Sequence, residues 1–88
     1  MNSRRGESVR TIDFNGLKGL TNDILKQISK SVKNNLLGVG FDEITSADSK
    51  MLDEGLLSFS DNCKNLNYIT FEKCNVFSQD AIGSKKFH

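Results

Sequence analysis

Apolar residues recur along this chain on one template. Val9, Ile12, Phe14 and Leu17 take the first, fourth, sixth and ninth places of a segment, and Leu36, Val39, Phe41 and Ile44 repeat that spacing. Leu66, Ile69, Phe71 and Cys74 repeat it again. The alternation between the fourth and sixth places is the two-residue period of a short strand with one buried face. Beyond each ninth place comes an apolar residue, a polar pair and another apolar stretch: Leu20-Thr21-Asn22-Asp23-Ile24-Leu25, Met51-Leu52-Asp53-Glu54-Gly55-Leu56 and Phe77-Ser78-Gln79-Asp80-Ala81-Ile82. Thr21 and Ser78 suit helix N-caps, because a side-chain oxygen can accept from an otherwise unpaired N–H of the first turn. The acids that follow them complement the positive end of a helix dipole. Leu25, Ile28 and Val32 then lie on one helical face, as do Leu56, Phe59 and Cys63. Leu52 cannot cap, so the middle helix is expected to start early, from Asp48 or Ser49. Polar turns, Lys33-Asn34-Asn35 and Lys64-Asn65, lead into the next strands.

Internal repeats of about 20 to 29 residues with this spacing of apolar positions mark a leucine-rich repeat solenoid. The predicted fold is therefore α/β, with parallel strands on one side and helices on the other. It comprises two full repeats, 9–35 and 36–65, and a truncated third, 66–82. Residues 1–8 read as a disordered basic N-terminus and 83–88 as a frayed tail. In helical register Lys85 would stand where Ile28 and Phe59 stand in the earlier repeats. An ordinary small β-α-β-α-β domain is the alternative. Both predict a parallel sheet with right-handed crossovers; the repeat reading alone requires the strands to stack in simple sequence order.

The phrase Leu52-Asp53-Glu54-Gly55-Leu56, followed by Asn62-Cys63-Lys64-Asn65-Leu66, Tyr68-Ile69-Thr70-Phe71 and Cys74, resembles the cysteine-containing leucine-rich repeats of F-box substrate receptors. The likeness spans about residues 9 to 82 and is closest across the second and third repeats. In the first repeat it is looser: Leu17 stands where that subtype has cysteine, as does Ile44 in the second repeat, and Lys33 precedes Leu36 as Cys63 precedes Leu66. The resemblance implies an interaction module, the substrate-recognition end of a ubiquitin ligase adaptor, in the cytoplasm or nucleus. Similar repeats in mitochondrial assembly or coupling factors give a second reading. No F-box is visible in the few residues before Val9.

Composition narrows the choice. With 88 residues there is one domain at most, and so short a chain has a marginal core. Solenoids need about three repeats and polar end caps, so a fragment or short isoform that needs further repeats or a capping partner is expected, and a non-functional remnant stands as a third reading. The net charge of +1 gives little non-specific attraction to nucleic acid or an acidic membrane. Arg4, Arg5 and Arg10 make the start basic, which leaves a brief mitochondrial presequence open. No apolar run is long enough to span a bilayer, and none follows the arginine pair as a secretory signal would require.

Chemistry is sparse. Two cysteines make no disulfide framework, and Cys63 and Cys74 fall at inward places, as small buried hydrophobes. The one histidine, His88, is terminal, so neither a metal site nor a catalytic triad is expected, and no cofactor is implied. Asp53-Glu54 suits a helix start and Asp42-Glu43 a strand exit, while Gly38-Val39-Gly40 lacks the residues of a phosphate loop. Not an enzyme but a protein-binding surface is predicted. The third, fifth and seventh places of each repeat face away from the core. They form three columns: Thr11, Gly38 and Tyr68; Asp13, Gly40 and Thr70; Asn15, Asp42 and Glu72. The acids Asp13, Asp42, Glu43 and Glu72 on or beside this face suggest a basic partner, because like charges on neighbouring strands cost stability. Gly38 and Gly40 are expected to leave a shallow spot for a partner side chain. Phe14, Phe41 and Phe71 are expected to stack as a ladder.

Overall fold

The structure, a computed structural model, describes residues 9–47 and 50–83. Three short strands, β1 (Thr11–Asp13), β2 (Gly38–Gly40) and β3 (Tyr68–Thr70), form one parallel sheet in the order β1-β2-β3. Helix α1 (Asn22–Val32) and a single 3-10 turn (Lys33–Asn35) connect the first two, and α2 (Asp53–Asn62) connects the second pair. A short α3 (Gln79–Ile82) follows β3. Strand order is thus sequential, and the register aligns equal template places: Thr11 with Gly38 with Tyr68, Ile12 with Val39 with Ile69, and Asp13 with Gly40 with Thr70.

The template's inward residues meet the helices in one core. Leu25, Leu36, Phe41, Ile44, Leu52, Leu56, Phe59 and Val76 are fully buried there. Phe41 is its centre. Its ring stacks on Phe14 at 5.2 Å and meets Phe77 edge-on at 5.1 Å and Phe59 edge-on at 6.3 Å. The expected Phe14–Phe41–Phe71 ladder is therefore only half right. Phe71 makes its ring contact with Phe77, 6.3 Å away, and it is Phe77 that fills the second side of Phe41. The third strand has a neighbour on one side only, so Leu66, Ile69, Phe71 and Cys74 are half-buried where their middle-repeat counterparts are closed off.

A left-handed residue ends every strand segment. Gly16, Glu43 and Lys73 share the eighth template place and have φ of +73°, +60° and +56°. In the first repeat the turn closes with Leu17 N–H donating to Phe14 O. A second left-handed glycine, Gly19, follows. Between these glycines Leu17 points outward and is 49% exposed. Its assignment to the core is corrected, while its counterpart Ile44 is buried as expected.

The helices obey part of the sequence expectation. Thr21 Oγ1 accepts from Ile24 N–H and Ser78 Oγ from Ala81 N–H, as N-caps do. The early start of the middle helix does not occur in the described residues: Lys50 to Leu52 are non-helical, and α2 begins at Asp53. Asp48 and Ser49, the expected caps, lie outside the described residues. Asn22, the first residue of α1, supplies what Leu52 cannot. Its Oδ1 accepts Gly55 N–H at 2.8 Å, and its Nδ2 donates to Met51 O. Close helix contact allows this. A Cβ on Gly55 would fall 2.7 Å from Leu25 Cβ, nearer than real atoms approach, so glycine is needed where α2 crosses α1.

Ser29 is the second unexpected feature of the helix pair. The helical face was read as Leu25, Ile28 and Val32, yet Ile28 is only half-buried and Ser29 is wholly buried. Its hydroxyl lies 2.7 Å from Ser58 Oγ, accepts from Asn62 Nδ2 and reaches Lys26 O, so no polar atom of that side chain is stranded. The basic N-terminus (1–8) and most of the expected tail, including Lys85, lie outside the described residues.

Candidate binding surface

Seven of the nine expected site residues line one shallow cavity of about 230 Å³ on the outer face of the sheet: Thr11, Asp13, Asn15, Gly38, Gly40, Tyr68 and Thr70. Ile12 and Val39, read from sequence only as core residues, also contribute to its wall. Strand pairing brings these residues together because the first two columns are register partners across all three strands. Asp42 and Glu72 are outside the lining.

The shallow spot expected at Gly38 is filled by the chain itself. A Cβ built on Gly38 would run into the Tyr68 ring, closest to Cζ and nearly equidistant from the two Cε atoms. That geometry puts the face of the ring, not its edge, against the glycine. Gly38 is thereby buried, while Tyr68 remains 52% exposed. At Gly40 the occupant is Asn15, whose Oδ1 would lie 2.9 Å from an added Cβ. Both glycines are places where a neighbouring side chain crosses the middle strand, a role that alternation of faces alone does not reveal.

The third column is a hydrogen-bonded ladder. Asn15 Oδ1 accepts Asp42 N–H at 2.6 Å, and Asp42 Oδ1 accepts Glu72 N–H at 2.8 Å. Backbone bonds from Gly16 N–H to Asp42 O and from Glu43 N–H to Glu72 O run alongside. Asp42 was read as an acid held against a like charge for a partner's benefit. Its carboxylate instead meets a main-chain donor, which offsets the repulsion and gives Asp42 a structural role. The same device recurs at the helix starts, where Asp53 Oδ1 accepts Ser78 N–H, and at the turns, where Asn65 Nδ2 donates to Asn34 O. Asp13 Oδ1 serves its own strand by accepting Asn15 N–H.

Across the helices the electrostatics are simple. Lys26 and Glu54 form an ion pair at 2.8 Å, and the hydrogen bond to Glu54 raises the lysine's affinity for its proton. This exposed pair links α1 to α2. A second, larger cavity of about 530 Å³ lies by the starts of those helices, between Thr21-Asn22-Asp23 and Lys50-Met51-Leu52. No sequence motif marked it.

The thiols are poor nucleophiles. Burial pushes the Cys63 thiol up to about 11, and burial likewise raises Cys74. Cys63 Sγ points at Ser29 O, 3.7 Å away. Cys74 is half-buried rather than enclosed, because β3 is an edge strand. Among the described residues there is no group of three or more His, Cys, Asp or Glu side chains placed to hold a metal ion. No described helix is long and apolar enough to cross a membrane.

In comparisons with known proteins, no family model, no curated protein and no solved structure matches the chain.

Proposed function

We propose that this chain is a protein-interaction module built as a short leucine-rich repeat solenoid, and that it captures a protein partner on the exposed face of its sheet. The observation that carries this reading is the cavity in which all three strands share a lining. Sequential strand order, equal register at equal template places and the left-handed turn at each eighth place support repeat architecture. A face assembled from one column per template place offers area and chemical variety to a partner, with no catalytic group in its midst. The resemblance to F-box receptor repeats makes that partner a substrate presented to a ubiquitin ligase.

The test is capture from cell extract with the sheet face altered. Thr11→Arg with Thr70→Arg places two long cations on exposed strand positions, and Gln27→Arg with Asp61→Arg does so on exposed helix positions. Circular dichroism is the control that checks whether both variants keep their helices. The sheet variant is expected to lose the bound proteins and the helix variant to keep them. The opposite pattern would move the binding face to the helices.

A further inference from the structure

We infer that the cavity over the middle strand receives the guanidinium of an arginine carried by an extended partner segment, stacked on Tyr68 and bonded to Asp13. The inference rests on the sheet-face reading above and specifies its ligand. Tyr68 has one ring face laid on Gly38 and is half exposed, so the floor of the site includes an aromatic surface immobilised from beneath. Such a surface attracts a cation through the ring quadrupole, and a planar guanidinium stacks on it where a lysine ammonium cannot.

The polar groups around the ring complement that ligand. Asp13 lines the same cavity and spends Oδ1 on Asn15 N–H, which leaves Oδ2 with no hydrogen bond among the described residues. Thr11 and Thr70 are exposed on either side of Gly38 and Gly40, and neither hydroxyl has a hydrogen bond among the described residues. One anion and two hydroxyls can accept several of the five guanidinium N–H groups. Among the described residues no lysine or arginine lines the cavity, so no described cation neutralises Asp13 there. A purely apolar side chain would bury these groups unpaired and is disfavoured.

Tyr68 is the only tyrosine, and the chain has no tryptophan, so intrinsic emission reports on this site alone. The peptide acetyl-Ser-Arg-Ser-amide is titrated into the whole chain, beside versions carrying citrulline, lysine or glutamate in place of arginine. The arginine peptide is expected to change Tyr68 emission saturably, with at least fivefold higher affinity than its neutral citrulline isostere. Lysine should fall between them and glutamate should have no effect. Asp13→Asn retains the Oδ1 acceptor for Asn15 and so preserves the turn, yet it should reduce arginine binding to the citrulline level. Raising salt should weaken the arginine peptide and leave the citrulline peptide unchanged. Equal binding of arginine and citrulline, or an Asp13→Asn variant that binds as well as the parent, overturns the guanidinium assignment while leaving a peptide-binding sheet face. An emission that no peptide changes overturns it too, and the capture experiment then judges the sheet face independently.

Discussion

Phe41→Ala is the sharpest test of the packing described above. Phe41 is fully buried and contacts three other rings: one stacked and two edge-on. Removing a buried Phe to Ala costs about 3–5 kcal/mol through lost transfer energy and the cavity left behind. Each lost ring pair is worth about 0.5–1.5 kcal/mol and is partly contained in that figure, so the upper half of the range is expected. A domain this size has total stability on the order of 5–10 kcal/mol, so about half of it rests on one side chain. Phe71→Ala is the informative comparison. Phe71 is half-buried and has a single ring contact, with Phe77, so its loss should cost about 1–2 kcal/mol. Urea melts followed by far-ultraviolet circular dichroism measure both, with a slope of roughly 1–2 kcal/mol/M placing the Phe41→Ala midpoint about 2 M or more below the parent. A Phe41→Ala loss under about 1 kcal/mol would refute the burial of Phe41, and equal losses for the two variants would refute its central place in the ring cluster.

Gly16→Ala should destabilise by about 1 kcal/mol from backbone conformation alone, since φ is +73° and nothing lies within 4 Å of the added Cβ; an unchanged urea midpoint would remove the left-handed turn from the account. Asn22→Ala should cost about 1–2 kcal/mol by uncapping α2 from its neighbour, and Asn22→Asp should restore most of it by keeping the acceptor for Gly55 N–H. Matched losses in thermal melts of these two variants would contradict the cap. The Cys63 thiol ionises near its ordinary value of 9.0 in the unfolded chain and is pushed up to about 11 in the folded one by burial. The folded state thus holds the proton more firmly, and the stability this contributes is complete below the lower value and fades as pH rises towards the upper. Urea melts of the parent and Cys63→Ala across that window should show the parent losing more stability with pH; parallel curves would contradict burial of the thiol.

Strand positions, their order and two of the three helix caps were legible because they follow from periodicity and from single residue types. Ile12, Val39 and Ile69 share a register that their common template place predicts. What escaped depends on contacts between distant residues. Asn22 looked like an ordinary first-turn residue, yet it caps a helix that has no capping residue of its own. Ser29 and Ser58 fall outside the apolar helical pattern, and their contact exists only once the two helices are brought together. Gly38 was recognised as small, but not as the seat of Tyr68, because strand alternation says which face a side chain leaves from and not whether it leans across its neighbour. Leu17 fitted the apolar template and was misplaced because Gly16 and Gly19 redirect the backbone around it.

The ladder bonds have a consequence for synthesis on the ribosome. Asn15 needs Asp42, Asp42 needs Glu72, Asn22 needs Gly55 and Asp53 needs Ser78, so each partner lies in the following repeat. A first repeat emerging by itself has Asn15 and Asn22 with neither of their partners, Asp42 and Gly55. Ordering such a segment costs about 1–2 kcal/mol per residue of backbone entropy with little to set against it. The nascent chain is thus expected to remain unstructured until α2 has cleared the exit tunnel, and then to order two repeats in a single step. The third repeat arrives onto a finished edge. Its folding is templated growth, whereas the first two must nucleate together.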